Sequence, residues 1–242
     1  MATDRIMCLA AQQGNLAVVQ FLCELPPEIG ANPAVSDNQP IQDAAANGHV
    51  NVVRYLCELP PERGVDPAAN DNWALIYAAG NGHLDVVQYL CELPPERGVD
   101  PAVYGNKPIS NAAENGHVEV VRYLCELPQE RGVDIGDYYD NLCIQLAAEN
   151  GHVEVVRYLC ELPPARGVNP AANDNWALIY AAENGHLDVV QYLCELPLVN
   201  LECVKTLVQG ACAEVVRVAL AQRRRWTMLR AAWVVAVASA SW

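Results

Sequence analysis

The sequence predicts an all-α protein, an α-solenoid of stacked helix-turn-helix repeats with little or no β-hairpin structure. The first observation is a period: Asn-Gly-His recurs five times after a degenerate Gln-Gly-Asn, with its glycines 34 or 35 residues apart. The second is that each period holds two short helical patterns, and a helix pair this small cannot bury its own apolar surface. The units must therefore stack. The marker glycines are Gly14, Gly48, Gly82, Gly116, Gly151 and Gly185.

The first helix of a unit, helix A, is typified by "WALIYAA", which follows Asp71 and Asn72. Asp and Asn are favoured N-terminal capping residues, and the two alanines let a neighbouring helix approach closely. Asn81 and Gly82 then predict a tight reversal, because Gly, or Asn in a left-handed conformation, is least strained there.

The second helix, helix B, is typified by "HLDVVQYLCEL". Asp85, Gln88 and Glu92 form a narrow polar strip at helical spacing, and apolar residues cover the remaining surface. Such a helix must be buried on most sides. Pro94 and Pro95 end it, since proline disfavours helical geometry in the residue before it and lacks an amide donor.

The repeated pattern "DNxALxxAAxNGHLxVVxYLCE" resembles the ankyrin repeat, a unit of about 33 residues in which two helices are joined through a Gly-His turn. The resemblance covers residues 3 to about 198. In two departures, segments such as "WALI" and "QPIQ" replace the family's "TPLH" helix start, and "LPPERGVDPAAN" replaces its usual finger. We therefore expect no regular β-hairpin fingers.

The repeat implies one solenoid domain over residues 1–222. Residues 47–94 match residues 150–197 at all but four of 48 positions, which indicates duplication of a three-repeat block. Residues 223–242 form a basic, then apolar, tail, which is interpreted as a capping helix, a frayed end or a weak anionic-membrane contact. The expected units are 3–36, 37–70, 71–104, 105–139, 140–173 and 174–198, followed by a degenerate helix pair at 199–222.

The chain is acidic, with a net charge of −14 at pH 7, and residues 1–216 hold all 29 acidic residues but only 10 of the 15 basic ones. This excess disfavours nucleic acid as a partner, because phosphate contacts need a basic face, and it favours a basic protein. No secretory signal or membrane span is apparent, and unpaired cysteines fit a reducing compartment. We expect a soluble, cytoplasmic or nuclear monomer that is not secreted.

The five histidines share one position of the repeat, and six of the ten cysteines share another. Such an equivalent position in successive repeats is called a slot. Packed helices lie about 8 to 10 Å apart, whereas zinc ligands lie about 2 Å from the ion and disulfides need Cα atoms within about 7 Å. We therefore expect no metal, no disulfide and no cofactor, with histidine bonded to backbone in the turn and cysteine in the core. These residues are His49, His83, His117, His152 and His186, and Cys23, Cys57, Cys91, Cys125, Cys160 and Cys194.

The pattern also argues against an enzyme. Catalysis needs reactive groups that converge on one point, but here they repeat along an axis, and the phosphate-loop, GxSxG and HExxH motifs are absent from the sequence. The connector arginines, such as Arg63 beside Asp66, are expected to form a row of exposed ion pairs that contributes little stability.

Slots that differ between otherwise similar repeats are the expected binding surface. In the ankyrin family, helix A and the preceding turn line the concave groove that grips partners, so the resemblance places the variation where recognition occurs. Trp and Tyr are frequent interface anchors. The expected partner-binding residues are Arg5, Gln39, Gln42, Trp73, Tyr77, Tyr104, Lys107, Asn111, Tyr138, Tyr139, Trp176 and Tyr180.

Alternatives remain open at this point. Trp73 and Tyr77 have a purely structural interpretation, in which they fill the space left by the missing "TPLH" hydrogen bonds. The two "WALIYAA" copies suit a long partner or one with two binding segments. Besides a protein-binding module, the chain is compatible with an adaptor or effector that delivers a partner to other machinery, and with a structural spacer that has no specific ligand.

Overall fold

The structure is a computed structural model that describes residues 2–26, 29–136, 141–199, 201 and 212–221. The chain divides into two compact units, Met1–Tyr138 and Tyr139–Trp242. Within each unit, antiparallel helix pairs stack side by side, with helix A packed on helix A and helix B on helix B. The described residues contain helices and no strand, which confirms the predicted solenoid class.

Odd-numbered helices are helix A of their repeat and even-numbered helices are helix B. The helices of the first unit are α1 Ala2–Gln12, α2 Leu16–Glu24, α3 Val35–Ala46, α4 Val50–Glu58, α5 Ala69–Gly80, α6 Leu84–Glu92, α7 Val103–Glu114 and α8 Val118–Glu126. Those of the second unit are α9 Leu142–Glu149, α10 Val153–Glu161, α11 Ala172–Glu183 and α12 Leu187–Glu195, and residues 212–221 are also helical.

Helix B forms much of the core. In α6, Val87 and Leu90 are fully buried, whereas Asp85 and Glu92 of the predicted polar strip are exposed. Burying each large aliphatic side chain stabilises the fold by about 1.5 to 3 kcal/mol. The helix ends at Glu92, as the two following prolines predict, and the helix surface therefore follows the sequence pattern.

Helix A begins with a left-handed turn instead of a side-chain cap. Asn70, Asp71 and Asn72 have φ angles of 53°, 55° and 67°, and the right-handed part of α5 follows them. The interpretation of Asp71 and Asn72 as capping residues is therefore wrong. Asn and Asp tolerate this conformation because their short polar side chains bond locally. Equivalent turns occupy residues 36–38, 104–106 and 173–175.

The asparagine that ends each left-handed turn joins one repeat to the next. Asn72 is buried, and its Oδ1 accepts a hydrogen bond of 2.9 Å from the backbone N–H of Asp100. Asp100 Oδ1 in turn accepts the N–H of Ala102 at 2.9 Å. This bond gives the connector an ordered path without a β-hairpin. Equivalent bonds run from Asp66 to Asn38, from Asp134 to Asn106 and from Asn169 to Asn141.

The Gly-His turn is a second junction. His83 Nε2 lies 3.1 Å from the carbonyl oxygen of Ala46 in the preceding repeat, and its ring covers Gly48. A Cβ at Gly48 would lie 2.5 Å from Nδ1 of His83, and the φ of Gly48 is +76°. Both the lack of space and the backbone conformation therefore favour glycine at this position. The predicted role of histidine is confirmed, with the bond reaching the neighbouring repeat. Equivalent bonds hold His49, His117 and His186.

The connector arginines form a third junction, which corrects the expectation of exposed ion pairs. Arg97 donates from one guanidinium nitrogen to the carbonyl oxygen of Cys57 at 2.8 Å and from the other to that of Val65 at 3.3 Å. Cys57 lies in the last turn of α4, where free carbonyls carry partial negative charge. Arg63 and Arg131 make the same pairs of bonds, so each of these three arginines caps helix B of the preceding repeat.

The first repeat differs at two of these junctions. Asn15 stands at the histidine slot and Ile29 at the arginine slot. Asn15 instead caps its own helix, because its Oδ1 accepts the N–H of Val18 at 3.2 Å. Within the predicted helix pair at 199–222, residues 212–221 are helical; the rest of the pair, apart from residues 199 and 201, and the tail at 223–242 lie outside the described residues.

Candidate partner-binding surface

The candidate surface is built from helix A, where the left-handed turn sets the direction of the first side chains. Three slots of helix A vary between repeats, and the structure separates them by burial. The first slot follows the turn directly in the later repeats, whereas Arg5 of the first repeat lies within α1. This slot is exposed in Arg5, Gln39, Trp73, Lys107 and Trp176 and half-buried in Leu142. The slot four residues later is exposed or half-buried, and contains Leu9, Asp43, Tyr77, Asn111, Leu146 and Tyr180.

The slot three residues after the first also varies, and it is less exposed. Its residues are buried at Gln42, Ile76, Ser110 and Gln145 and half-buried at Cys8 and Ile179. Gln42 is 7% exposed, and its Nε2 donates to the carbonyl oxygen of Asp37 at 2.7 Å. Ser110 is also buried and donates from Oγ to the carbonyl oxygen of Asn106 at 3.1 Å. These side chains stabilise the left-handed turn, so Gln42 offers little surface to a partner. Variation alone is therefore an incomplete sign of exposure.

Two Trp–Tyr pairs dominate the accessible slots. Trp73 and Tyr77 are 44% and 43% exposed, and their ring centroids lie 5.6 Å apart at an interplanar angle of 70°. Trp176 is also 44% exposed, and its ring centroid lies 5.5 Å from that of Tyr180 at 76°. Aromatic pairs favour edge-to-face contacts of this kind. Each pair therefore presents two mutually packed rings to solvent.

The connector adds Tyr104, which is 61% exposed and donates from its hydroxyl to Asp71 Oδ2 at 2.5 Å. This bond raises the pKa of Tyr104, because the neutral hydroxyl is needed as the donor. Asn111 lies against Gly80 of the preceding repeat and is half-buried. Tyr138 and Tyr139, which were also predicted to bind a partner, lie outside the described residues.

An open groove of about 410 Å³ is lined by residues of α1 and α3 at the same slots. Arg5, Leu9, Gln39 and Asp43 line it, so equivalent slots of adjacent repeats face one another across the groove. Partial burial raises the pKa of the Asp43 carboxyl, although a hydrogen bond from Gln39 opposes this. The sequence prediction missed Asp43 as a surface residue; its slot, shared with Tyr77, was the available signal.

The cysteines of the helix B slot are buried, apart from the half-buried Cys160, and their environment suppresses their reactivity. Burial raises the pKa of the Cys57 thiol to about 11 and that of Cys91 to about 12. A protonated thiol is a poor nucleophile and a poor metal ligand. Tyr89 of the next repeat lies near the Cys57 thiol and partly opposes this rise in its pKa, so the slot lies where repeats stack. In the described part of the chain, no group of three His, Cys, Asp or Glu side chains is placed to hold a metal ion.

Among the described residues, no helix combines the length and the apolar character needed to cross a membrane.

Comparison with known proteins places the chain in a family. A family model described as ankyrin repeats matches in three copies, at residues 3–71, 63–138 and 127–200. The crystal structure of the human ASB11 ankyrin repeat domain matches with a TM-score of 0.67 and 20% sequence identity, over 88% of this chain and 96% of that chain. A search of curated proteins found no match. Together with the Gly-His junctions and paired helices described above, the three matches show that the chain belongs to the ankyrin-repeat family.

Proposed function

We propose that the protein is a non-enzymatic interaction module that binds a protein partner through the helix A and connector surface of its repeats. Ankyrin repeats are protein-interaction modules in general. The observation that carries the choice of surface is the pair of half-exposed tryptophans in the first slot, each held edge-to-face by a tyrosine. A large apolar ring left partly in water gains free energy when a partner covers it.

The position of these rings also supports binding over a purely structural role. Ala74 and Leu75, which directly follow Trp73, are fully buried and fill the core between repeats. Trp73 itself retains 44% of its surface in water, so packing uses only part of the side chain. Aromatic residues of this type supply much of the binding energy at protein interfaces, where a few anchors dominate.

The test compares proteins captured by the wild-type chain with those captured by a Trp73→Ala/Trp176→Ala double variant, using quantitative mass spectrometry. A Phe21→Ala/Leu187→Ala double variant is the matched control, because both residues are exposed apolar side chains on helix B, at 60% and 44% exposure. We expect specific partners to be lost at least tenfold from the helix A variant, since truncating an interface anchor costs about 2 kcal/mol or more, and to be retained by the control.

Circular dichroism and thermal unfolding establish that both double variants remain folded. A list of captured proteins that does not change in the helix A variant would refute the proposed surface. Equal losses from both double variants would show that the two helix A tryptophans have no special role.

A further inference from the structure

We propose that the chain carries two equivalent binding sites, one in each compact unit, and that each site binds a partner segment through an arginine or lysine side chain. Site 1 is Asp71, Trp73 and Tyr77, and site 2 is Asp174, Trp176 and Tyr180. This inference rests on the proposed function and specifies its partner chemistry and its stoichiometry.

The equivalence of the sites follows from sequence and geometry together. All residues from Pro67 to Ala79 are repeated without change from Pro170 to Ala182. The two ring pairs agree within 0.1 Å in centroid distance, at 5.6 and 5.5 Å, and both tryptophans are 44% exposed. Site 1 lies in Met1–Tyr138 and site 2 in Tyr139–Trp242. Each unit therefore presents the same aromatic anchor.

The surroundings of the rings favour a cation. Asp71 and Asp174 are exposed and stand two residues before their tryptophans, on the left-handed turn. Asp71 Oδ2 also accepts the Tyr104 hydroxyl, but a carboxylate has further acceptor sites for a cation. A guanidinium or ammonium group attracts both an aromatic face and a carboxylate, and arginine combines stacking with paired hydrogen bonds. The excess of acidic residues in residues 1–216 adds a long-range attraction for a basic segment. The helix A slots around site 1 contain two carboxylates, Asp71 and Asp43, against one basic residue, Lys107 of the next repeat.

The protein already uses this interaction on its helix B side. The guanidinium of Arg54 lies 4.5 Å from the ring centroid of Tyr89, and that of Arg157 lies 4.6 Å from the ring centroid of Tyr192. Over the described ranges, no arginine or lysine of the chain takes the corresponding position over the helix A tryptophans. The rings of Tyr89 and Tyr192 are therefore paired with a cation of the chain itself, whereas the rings of Trp73 and Trp176 are open to a cation from a partner.

The flanks of the two sites differ. The preceding repeat places Gln39 and Asp43 beside site 1, but Leu142 and Leu146 beside site 2, because these residues occupy the same slots of helix A. In the groove between α1 and α3, these same slots of neighbouring repeats face each other. A bound segment therefore meets a polar flank at site 1 and an apolar flank at site 2. The cationic anchor is common to both sites, while the adjacent preference differs.

The first experiment selects phage-displayed random 12-residue peptides on the full chain and on its Trp73→Ala and Trp176→Ala variants. We expect peptides with Arg or Lys from all three proteins. Peptides selected on Trp176→Ala, which retains site 1, should carry polar residues next to the cation, and those selected on Trp73→Ala should carry apolar ones. Consensus peptides without a basic residue would overturn the proposal.

The second experiment titrates one selected peptide by calorimetry. We expect two peptides per wild-type chain, one per chain in each single variant, and affinity at least tenfold weaker in the double variant. A stoichiometry of one that a single substitution abolishes would overturn the two-site proposal while leaving the proposed function intact. Binding that survives the double variant would refute the proposed surface itself.

The carboxylates are tested by Asp71→Asn/Asp174→Asn. The matched control is Asp85→Asn/Asp188→Asn, which makes the same exchange at two exposed, equally duplicated positions on helix B. We expect the helix A exchange to weaken binding of the peptide about twofold to fivefold, because an exposed cation loses its ion pair. No difference between the two exchanges would show that the carboxylates do not recognise the cation.

Discussion

At the residue scale, the contact between glycine and histidine shows how one position serves two repeats. Gly48 belongs to the turn of the second repeat, but the ring that covers it is His83 of the third. The glycine satisfies both a positive φ and a close approach, and the histidine bonds the Ala46 carbonyl at 3.1 Å. Gly64 also has a positive φ, of +70°, yet a Cβ there would lie 3.7 Å from that of Ala34, an ordinary contact.

These two glycines therefore separate backbone strain from crowding. Alanine at either position adds about 1 kcal/mol of strain, but Gly48→Ala must also displace the His83 ring and weaken its hydrogen bond, at an additional cost of about 1 to 3 kcal/mol. We therefore expect Gly48→Ala to lower the free energy of unfolding, measured in urea, by about 1 to 3 kcal/mol more than Gly64→Ala does. Equal effects of the two substitutions would mean that the His83 ring moves aside without any loss of stability.

At the scale of the element, the left-handed turn replaces the finger expected of the family. Its three residues lead directly into the right-handed part of helix A, and the final asparagine is buried, with its Oδ1 bonded to the next connector. Asparagine supplies at one position both the tolerated φ and the acceptor. Glycine would provide the conformation without the acceptor.

Asn72→Gly tests the acceptor without adding strain. We expect the free energy of unfolding to fall by about 1 to 2 kcal/mol, because the Asp100 N–H loses its partner. Asn70→Gly is the control: Asn70 has a φ of 53° but is exposed, and it makes a longer bond of 3.3 Å to Asp37. Chemical unfolding of both variants measures the difference, and a loss at Asn72 no larger than that at Asn70 would contradict the assigned junction.

The elements also show what the sequence can and cannot predict. Helix B and its end were predictable, because helical spacing and two prolines are local signals. Asp71 and Asn72 were misinterpreted because the same residue types favour caps and left-handed turns. Arg97 was misinterpreted because its partner, the Cys57 carbonyl, lies 40 residues earlier. At the candidate surface, the Trp73 slot was predictable from variation, whereas the burial of Gln42 depends on a turn that local pattern did not indicate.

At the scale of the whole molecule, the buried thiols link stability to pH. The pKa of Cys57 is raised to about 11 and that of Cys160 to about 12, in each case because burial disfavours the thiolate. The unfolded chain loses these protons near the ordinary value of 9.0, before the folded chain does. Their contribution is therefore complete below pH 9 and is lost as pH rises towards 12, at about 1.4 kcal/mol for each tenfold difference in acidity.

We expect the free energy of unfolding to fall steadily above pH 9, as measured by urea unfolding between pH 7 and pH 11 with the thiols kept reduced. A Cys57→Ala/Cys91→Ala variant has two fewer of these groups and should show a shallower decline, even if its stability at pH 7 is lower. The same slope in both proteins would mean that these thiols do not control the alkaline transition.

The junctions between repeats have an evolutionary consequence. The arginine bonds to main-chain carbonyls, the histidine does the same, and the asparagine accepts from a main-chain N–H. Apart from the glycine under the ring, each of these three bonds is indifferent to the side chains of the repeat it joins. A block of repeats can therefore be copied and inserted beside a new neighbour without compensating substitutions. Copying then delivers a finished aromatic site to a second location, where the neighbouring repeat sets a new preference.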